Sequence, residues 1–66
     1  MIVKEYVDFQ WGEKVKVTAT MTEEEYNTVL SMAKNYKWNE VSAVMVLRGY
    51  RDKTMWDRVK IERLPS

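Results

Sequence analysis

An alternating segment that runs directly into a helix-start signal constrains this chain more than any other feature. In residues 14–21, KVKVTATM, every second position is apolar and the positions between are Lys or Thr. This period of two predicts a half-buried strand. Residues 22–36, TEEEYNTVLSMAKNY, then place Thr22 and Glu25 at the two positions of a capping box. A strand followed at once by an amphipathic helix is therefore predicted.

The segment before this strand is predicted to be its hairpin partner. The apolar residues of VKEYVDF that share one face are Val3, Val7 and Phe9. A three-residue loop over 11–13 would set Phe9 opposite Val15, whereas a two-residue loop would set Phe9 opposite Lys14. We expect the three-residue loop, because it pairs apolar side chains across the strands.

Residues 41–50, VSAVMVLRGY, are apolar on both faces and rich in Val, which favours a strand covered on both sides. A helix that is capped by Asn39 and ended by Gly49 is the alternative. We expect the strand.

Residues 55–64 are expected to return as a further strand. Its inward residues would be Met55, Val59 and Ile61, and its outward residues Trp56, Arg58, Lys60 and Glu62. The sequence therefore predicts a single domain over residues 1–66 with the α+β class. Its architecture would be a small two-layer ββαββ sandwich, with one helix packed on a four-stranded, mostly antiparallel sheet.

Several kinds of chemistry have no residues to carry them. The chain has no Cys and no His, so it lacks thiolate and imidazole metal ligands and the usual general base. The acidic cluster at 23–25 is typical of a helix start. We expect no enzyme activity, no metal and no cofactor. The chain has no apolar run of membrane-spanning length and no signal-peptide pattern, so we expect a cytoplasmic protein that does not engage a membrane.

The uncovered face of the predicted sheet is the candidate binding surface. Its outward positions interleave bases with aromatic rings, although the net charge of the whole chain is only +1. The predicted binding residues are Arg48, Tyr50, Arg51, Lys53, Trp56, Arg58 and Lys60, together with Lys14, Lys16 and Tyr6. Trp56 is expected to face Arg48 in a cation-π pair. Such a face suits an acidic protein surface or a single-stranded nucleic acid.

Residues 16–33, KVTATMTEEEYNTVLSMA, resemble the opening of ribbon-helix-helix repressors: a strand with alternate polar positions, an N-cap and an amphipathic helix. In that family, paired strands enter the DNA major groove. The resemblance implies that Lys16, Thr18 and Thr20 read DNA, that a second helix follows over 39–50, and that the protein is a dimer. The chain departs from the family pattern because strands are predicted on both sides of the motif.

The leading functional prediction is a small non-catalytic protein-binding module, monomeric or homodimeric, that docks on an acidic protein surface. It could serve as an accessory inhibitor, carried by a phage or another mobile element, that blocks a host or defence enzyme sterically. The alternative is nucleic-acid binding, through the basic-aromatic sheet face or as a ribbon-helix-helix-like dimeric DNA-binding repressor.

Overall fold

The structure is a computed structural model that describes residues 1–50 and 53–65, with the backbone alone at 50, 53 and 54. Its elements are β1 (Ile2–Gln10), β2 (Glu13–Met21), α1 (Glu23–Tyr36), α2 (Glu40–Tyr50), the 3-10 helix η1 (Lys53–Asp57) and β3 (Val59–Arg63). The strands form one antiparallel sheet in the order β1-β2-β3. The α+β class is confirmed, but the predicted four-stranded ββαββ sandwich with one helix is wrong, because the sheet has three strands and two α-helices follow β2.

The strand β2 and the helix α1 form as the sequence predicts. Val15, Val17, Ala19 and Met21 are buried in one core with residues of both helices, η1 and β3. At the start of α1, the Glu25 N–H donates to Thr22 Oγ1 at 3.1 Å, and the Thr22 N–H donates to Glu25 Oε1 at 2.8 Å. The predicted capping box is therefore confirmed.

The predicted register of the first hairpin is wrong. Phe9 lies opposite Lys14, and Tyr6 lies opposite Val17. The loop consequently has two residues, Trp11 and Gly12. Because side chains alternate between the faces of a strand, this one-residue difference exchanges the two faces of β1. The face predicted to be buried is the exposed one.

The backbone of the turn accounts for this register. Trp11 has φ 54° and Gly12 has φ 77°, and a two-residue type I′ turn needs positive φ at both central positions. Glycine adopts this conformation without steric cost, whereas a residue with a Cβ atom pays for it. Trp11 is therefore held in a strained conformation by the turn that Gly12 permits.

Residues 40–50 are helical, so the strand prediction is wrong and the helix alternative with its Asn39 cap is confirmed, although the helix does not end at Gly49 and continues to Tyr50. The Ser42 N–H donates to Asn39 Oδ1 at 2.8 Å, which is the bond that an N-cap side chain makes to the first turn. The buried residues of α2 are Val41, Ala43, Val44 and Leu47. This spacing of three and four belongs to one face of a helix.

The strand predicted over 55–64 is shorter, since β3 begins at Val59 and η1 occupies the preceding residues. Met55 and Val59 are buried as predicted. Arg58, between η1 and β3, is not directed to the open side of the sheet, and its contacts are described below.

The two glycines give opposite predictions. A Cβ atom added at Gly12 or at Gly49 would meet nothing within 4 Å, so backbone conformation alone decides the outcome. Gly12→Ala should lower the free energy of unfolding by about 1 to 2 kcal/mol, because its φ is positive. Gly49→Ala, inside α2, should raise it by up to about 1 kcal/mol. Urea denaturation of both variants measures the two changes. A change in the free energy of unfolding that has the same sign in both variants would contradict the turn described here.

Candidate protein-interaction surface

In the part of the chain that the structure describes, the sheet carries helices on one side and no element covers the other side. We call the uncovered side the open face. Its residues are Val3, Glu5, Val7 and Phe9 from β1, Lys14, Lys16, Thr18 and Thr20 from β2, and Lys60 and Glu62 from β3. It is built on three hydrogen-bonded strands, so its side chains stand on a continuous backbone.

Three apolar side chains occupy the β1 part of the open face. Val3 is 60% exposed, Val7 58% and Phe9 69%. We call them the apolar column. Trp11, at the adjacent turn, is also well exposed and held with a positive φ. A cluster of large exposed apolar side chains often marks a site of interaction with a partner.

The charges of the open face nearly balance. Its lysines are Lys14, Lys16 and Lys60, and its acids are Glu5 and Glu62, so three positive charges face two negative ones. Lys16 Nζ lies 3.5 Å from Glu5 Oε1. Among the residues that the structure describes, the open face is therefore not strongly basic, and its lysines lie on β2 and β3, to one side of the apolar column.

The covered face of β1 carries four polar side chains beside Ile2, and two of the four contact residues of the helices. The Tyr6 hydroxyl donates to Glu40 Oε1 at 2.9 Å, and the Tyr26 hydroxyl reaches the same oxygen at 3.5 Å. Lys4 Nζ lies 5.1 Å from the centroid of the Tyr26 ring. Burial, and then the Glu40 carboxylate, raise the pKa of Tyr6 well above its ordinary value. Tyr6, predicted on the open face, lies instead between β1 and α2.

Arg58 also lies on the covered side, contrary to its predicted outward direction. Its two guanidinium NH₂ groups donate to the Glu25 carboxylate at 2.6 and 2.8 Å, and one of them also donates to the Thr20 carbonyl at 3.1 Å. Both side chains of this bidentate pair are largely buried. Arg58 therefore ties the start of α1 to the entry of β3.

The predicted cation-π pair is confirmed, although in another place. The Arg48 guanidinium carbon lies 3.7 Å from the centroid of the Trp56 ring. Arg48 comes from α2 and Trp56 from η1, so the contact fixes η1 against a helix and lies away from the open face. Arg48 Nε is buried, with no hydrogen-bond acceptor among the residues that the structure describes.

The predicted binding residues thus fall in separate places. Lys14, Lys16 and Lys60 lie on the open face. Arg51 lies outside the described residues, as do the side chains of Tyr50 and Lys53. The exposed apolar column and Trp11 are not among the binding residues that the sequence predicts. The signal that could have found them was Gly12 at the second position of a two-residue turn.

Comparisons with protein-family models, with curated proteins and with solved structures found no match. Across residues 1–50 and 53–65, no helix is both long and apolar enough to cross a bilayer, and no group of three acids could hold a metal ion.

The structure agrees only in part with the pattern of ribbon-helix-helix repressors. A strand, a capped helix and a second helix do follow one another as β2, α1 and α2. However, β2 is hydrogen-bonded to β1 on one side and to β3 on the other. It therefore has no free edge with which to pair with the same strand of a second chain, as the family's DNA-reading ribbon requires.

The pair formed by Glu25 and Arg58 gives a prediction with a defined pH dependence. The hydrogen bonds from Arg58 hold the pKa of Glu25 at about 2, against an ordinary value of 4.5. Because the pKa is lowered by folding, the pair stabilises the fold above pH 4.5 and is lost as the pH falls towards 2. Glu25→Gln should cost about 2 kcal/mol of unfolding free energy at pH 7.

Chemical denaturation at several pH values tests this prediction. The difference between the wild type and Glu25→Gln should shrink below pH 4.5 and vanish near pH 2. Glu24→Gln is the matched control, because Glu24 is an exposed acid in the same first turn of α1, and should change stability by less than about 0.5 kcal/mol. A difference that stays constant with pH would contradict the assigned role of the Glu25 carboxylate.

Proposed function

We propose that this chain is a non-catalytic protein-binding module that docks on a protein partner through its open face. The proposal rests on the apolar column, because its side chains Val3, Val7 and Phe9 are each more than half exposed. Most polar side chains of β1 instead face the helices, and Glu5 is the exception. Binding a partner is the simplest way to remove such side chains from water.

The chemistry around the column indicates the kind of partner. Phe9 lies opposite Lys14 and Val7 opposite Lys16, so two exposed apolar side chains lie directly beside two lysines. Protein interfaces combine exposed apolar side chains with polar and charged ones around them. A complementary surface would present apolar groups against β1 and acids against β2. This supports the predicted acidic protein partner.

A steric inhibitor of an enzyme would be one such module. The apolar column and the neighbouring lysines could cover the entrance to the active site of the enzyme without supplying any reactive group. The identity of the blocked enzyme, the origin of the chain in a phage or mobile element, and its place in the cytoplasm stay predictions.

Nucleic-acid binding is the second candidate, and one observation favours it. Phe9 and Lys14 are cross-strand neighbours next to Trp11, so a base could stack on a ring while its phosphate meets the ammonium group. Two other observations favour protein instead. The open face has only one more positive than negative charge, and Arg58, one of the predicted binding residues, is bound to Glu25.

The test uses a double variant, Val7→Thr with Phe9→Thr, which replaces two of the three side chains of the apolar column with residues that suit a strand. Partners captured from cell lysate by the wild type should be purified and titrated by calorimetry. We expect the double variant to bind at least about thirtyfold more weakly, since central apolar contacts dominate binding energy. Val46→Thr is the matched control, because Val46 is an exposed apolar residue on α2.

A partner that binds the double variant as tightly as the wild type would overturn the proposal. So would short single-stranded oligonucleotides that bind the wild type in low salt, lose affinity steeply as salt rises, and bind Lys14→Gln more weakly. The last result would establish the second candidate.

A further inference from the structure

Among the residues that the structure describes, no strand pairs with the outer edge of β1, and the hydrogen-bond pattern shows which residues this edge presents. The Leu64 N–H donates to the Lys14 carbonyl, and the Thr20 N–H donates to the Arg58 carbonyl, so the even-numbered residues of β2 bond to β3. Its odd-numbered residues therefore bond to β1, where their partners are the even-numbered residues. The backbone groups that point away from the sheet belong to Val3, Glu5, Val7 and Phe9.

This edge has the length and the regularity of strands that pair with a further strand, although it carries charged residues as well. β1 has nine residues, contains no Pro and pairs with β2 in unbroken register, without a bulge. The other edge of the sheet is different, because β3 has five residues, three of them charged, and Pro65 follows shortly after. Long regular edges are templates for another strand, whereas short charged ones are protected.

We propose that β1 pairs antiparallel with β1 of a second copy of this chain, which joins the two sheets into one of six strands. The two-fold axis would pass at Tyr6, so that each Tyr6 lies opposite the other. The edge-facing residues then form hydrogen-bonded pairs, Val3 with Phe9 and Glu5 with Val7, each pair exchanging two backbone bonds.

Side-chain complementarity selects this register. On the covered face it sets Lys4 of each copy opposite Asp8 of the other, and on the open face it sets Val3 opposite Phe9. Shifting the axis to Glu5 would place the two Glu5 side chains against each other. Shifting it to Val7 would separate Lys4 from Asp8. Opposite charges across strands stabilise a sheet and like charges destabilise it.

The hydrogen bonds of Asp8 in the single chain are compatible with strand pairing at the outer edge of β1. Its carboxylate accepts from the Phe9 N–H at 2.8 Å, which occupies one outward donor, and from the Asn39 and Gln10 side chains at 3.2 and 3.4 Å. In the dimer, the Phe9 N–H would donate to the Val3 carbonyl of the second copy. The Asp8 carboxylate would then receive Lys4 of that copy.

The helices leave room for the second copy. The covered side chains of β1 are only half-buried, whereas those of β2 from Val15 onward are fully buried. The helix layer therefore lies over β2 and reaches β1 only in part. Pairing at the edge also leaves the open face uncovered and doubles its width, so the dimer and the protein-binding proposal stand on different surfaces.

Sedimentation equilibrium of the full chain from micromolar to millimolar concentration tests the pairing, with charge exchange as the specific probe. Lys4→Asp should weaken the dimer about tenfold, because it sets two acids face to face at both ends of the pairing. Asp8→Lys should weaken it similarly. The double variant carrying both changes should return to within about threefold of the wild type. Circular dichroism confirms that each variant is folded, and none of the changes touches the open face.

The register has its own probe, because the chain contains no Cys. A single Cys introduced at the residue on the two-fold axis lies opposite itself and can form a disulfide across the dimer. Tyr6→Cys should therefore form the disulfide faster than Glu5→Cys or Val7→Cys. The proposal is overturned by a chain that stays monomeric at millimolar concentration, by a dimer in which the double variant does not recover, or by faster linkage at position 5 or 7.

Discussion

The two-residue turn at Trp11 and Gly12 decides which face of β1 meets the helices. Its positive φ angles fix the loop length, the loop length fixes the register, and the register fixes every side chain of the strand. Tyr6 is thereby brought to Glu40, and Phe9 is left beside Lys14. The polar contacts of the interior and the apolar surface outside both follow from one conformation of two residues.

The sequence predicts β2 and α1 well because their signals are local. Alternation within eight residues and a cap within four need no knowledge of distant parts of the chain. The buried face of β1 is harder to predict. The rule that the most apolar face is buried takes no account of the contacts that distant residues offer to each face. Here the Tyr6 hydroxyl of the polar face donates a hydrogen bond to Glu40, which lies 34 residues away in the sequence. No pattern within β1 records that contact.

The same distinction explains the rest of the fold and the site. Residues 41–50 are apolar throughout, and such a run does not separate a strand from a buried helix; the Asn39 cap was the deciding local signal. Lys14, Lys16 and Lys60 were placed correctly by alternation. Arg58 was not, because Glu25 draws it inward. The contact of Arg48 with Trp56 was expected between strands and arises between a helix and η1.

The Glu25 carboxylate has two tasks at very different distances along the chain. It accepts from Thr22, three residues away, and from Arg58, 33 residues away. The capping box restricts the Glu25 side chain to one rotamer as soon as α1 exists. The capping box thus already costs the Glu25 side chain its conformational entropy. The contact with Arg58 then has to order only the Arg58 side chain and not both side chains. A helix cap thus prepares the closure of the sheet.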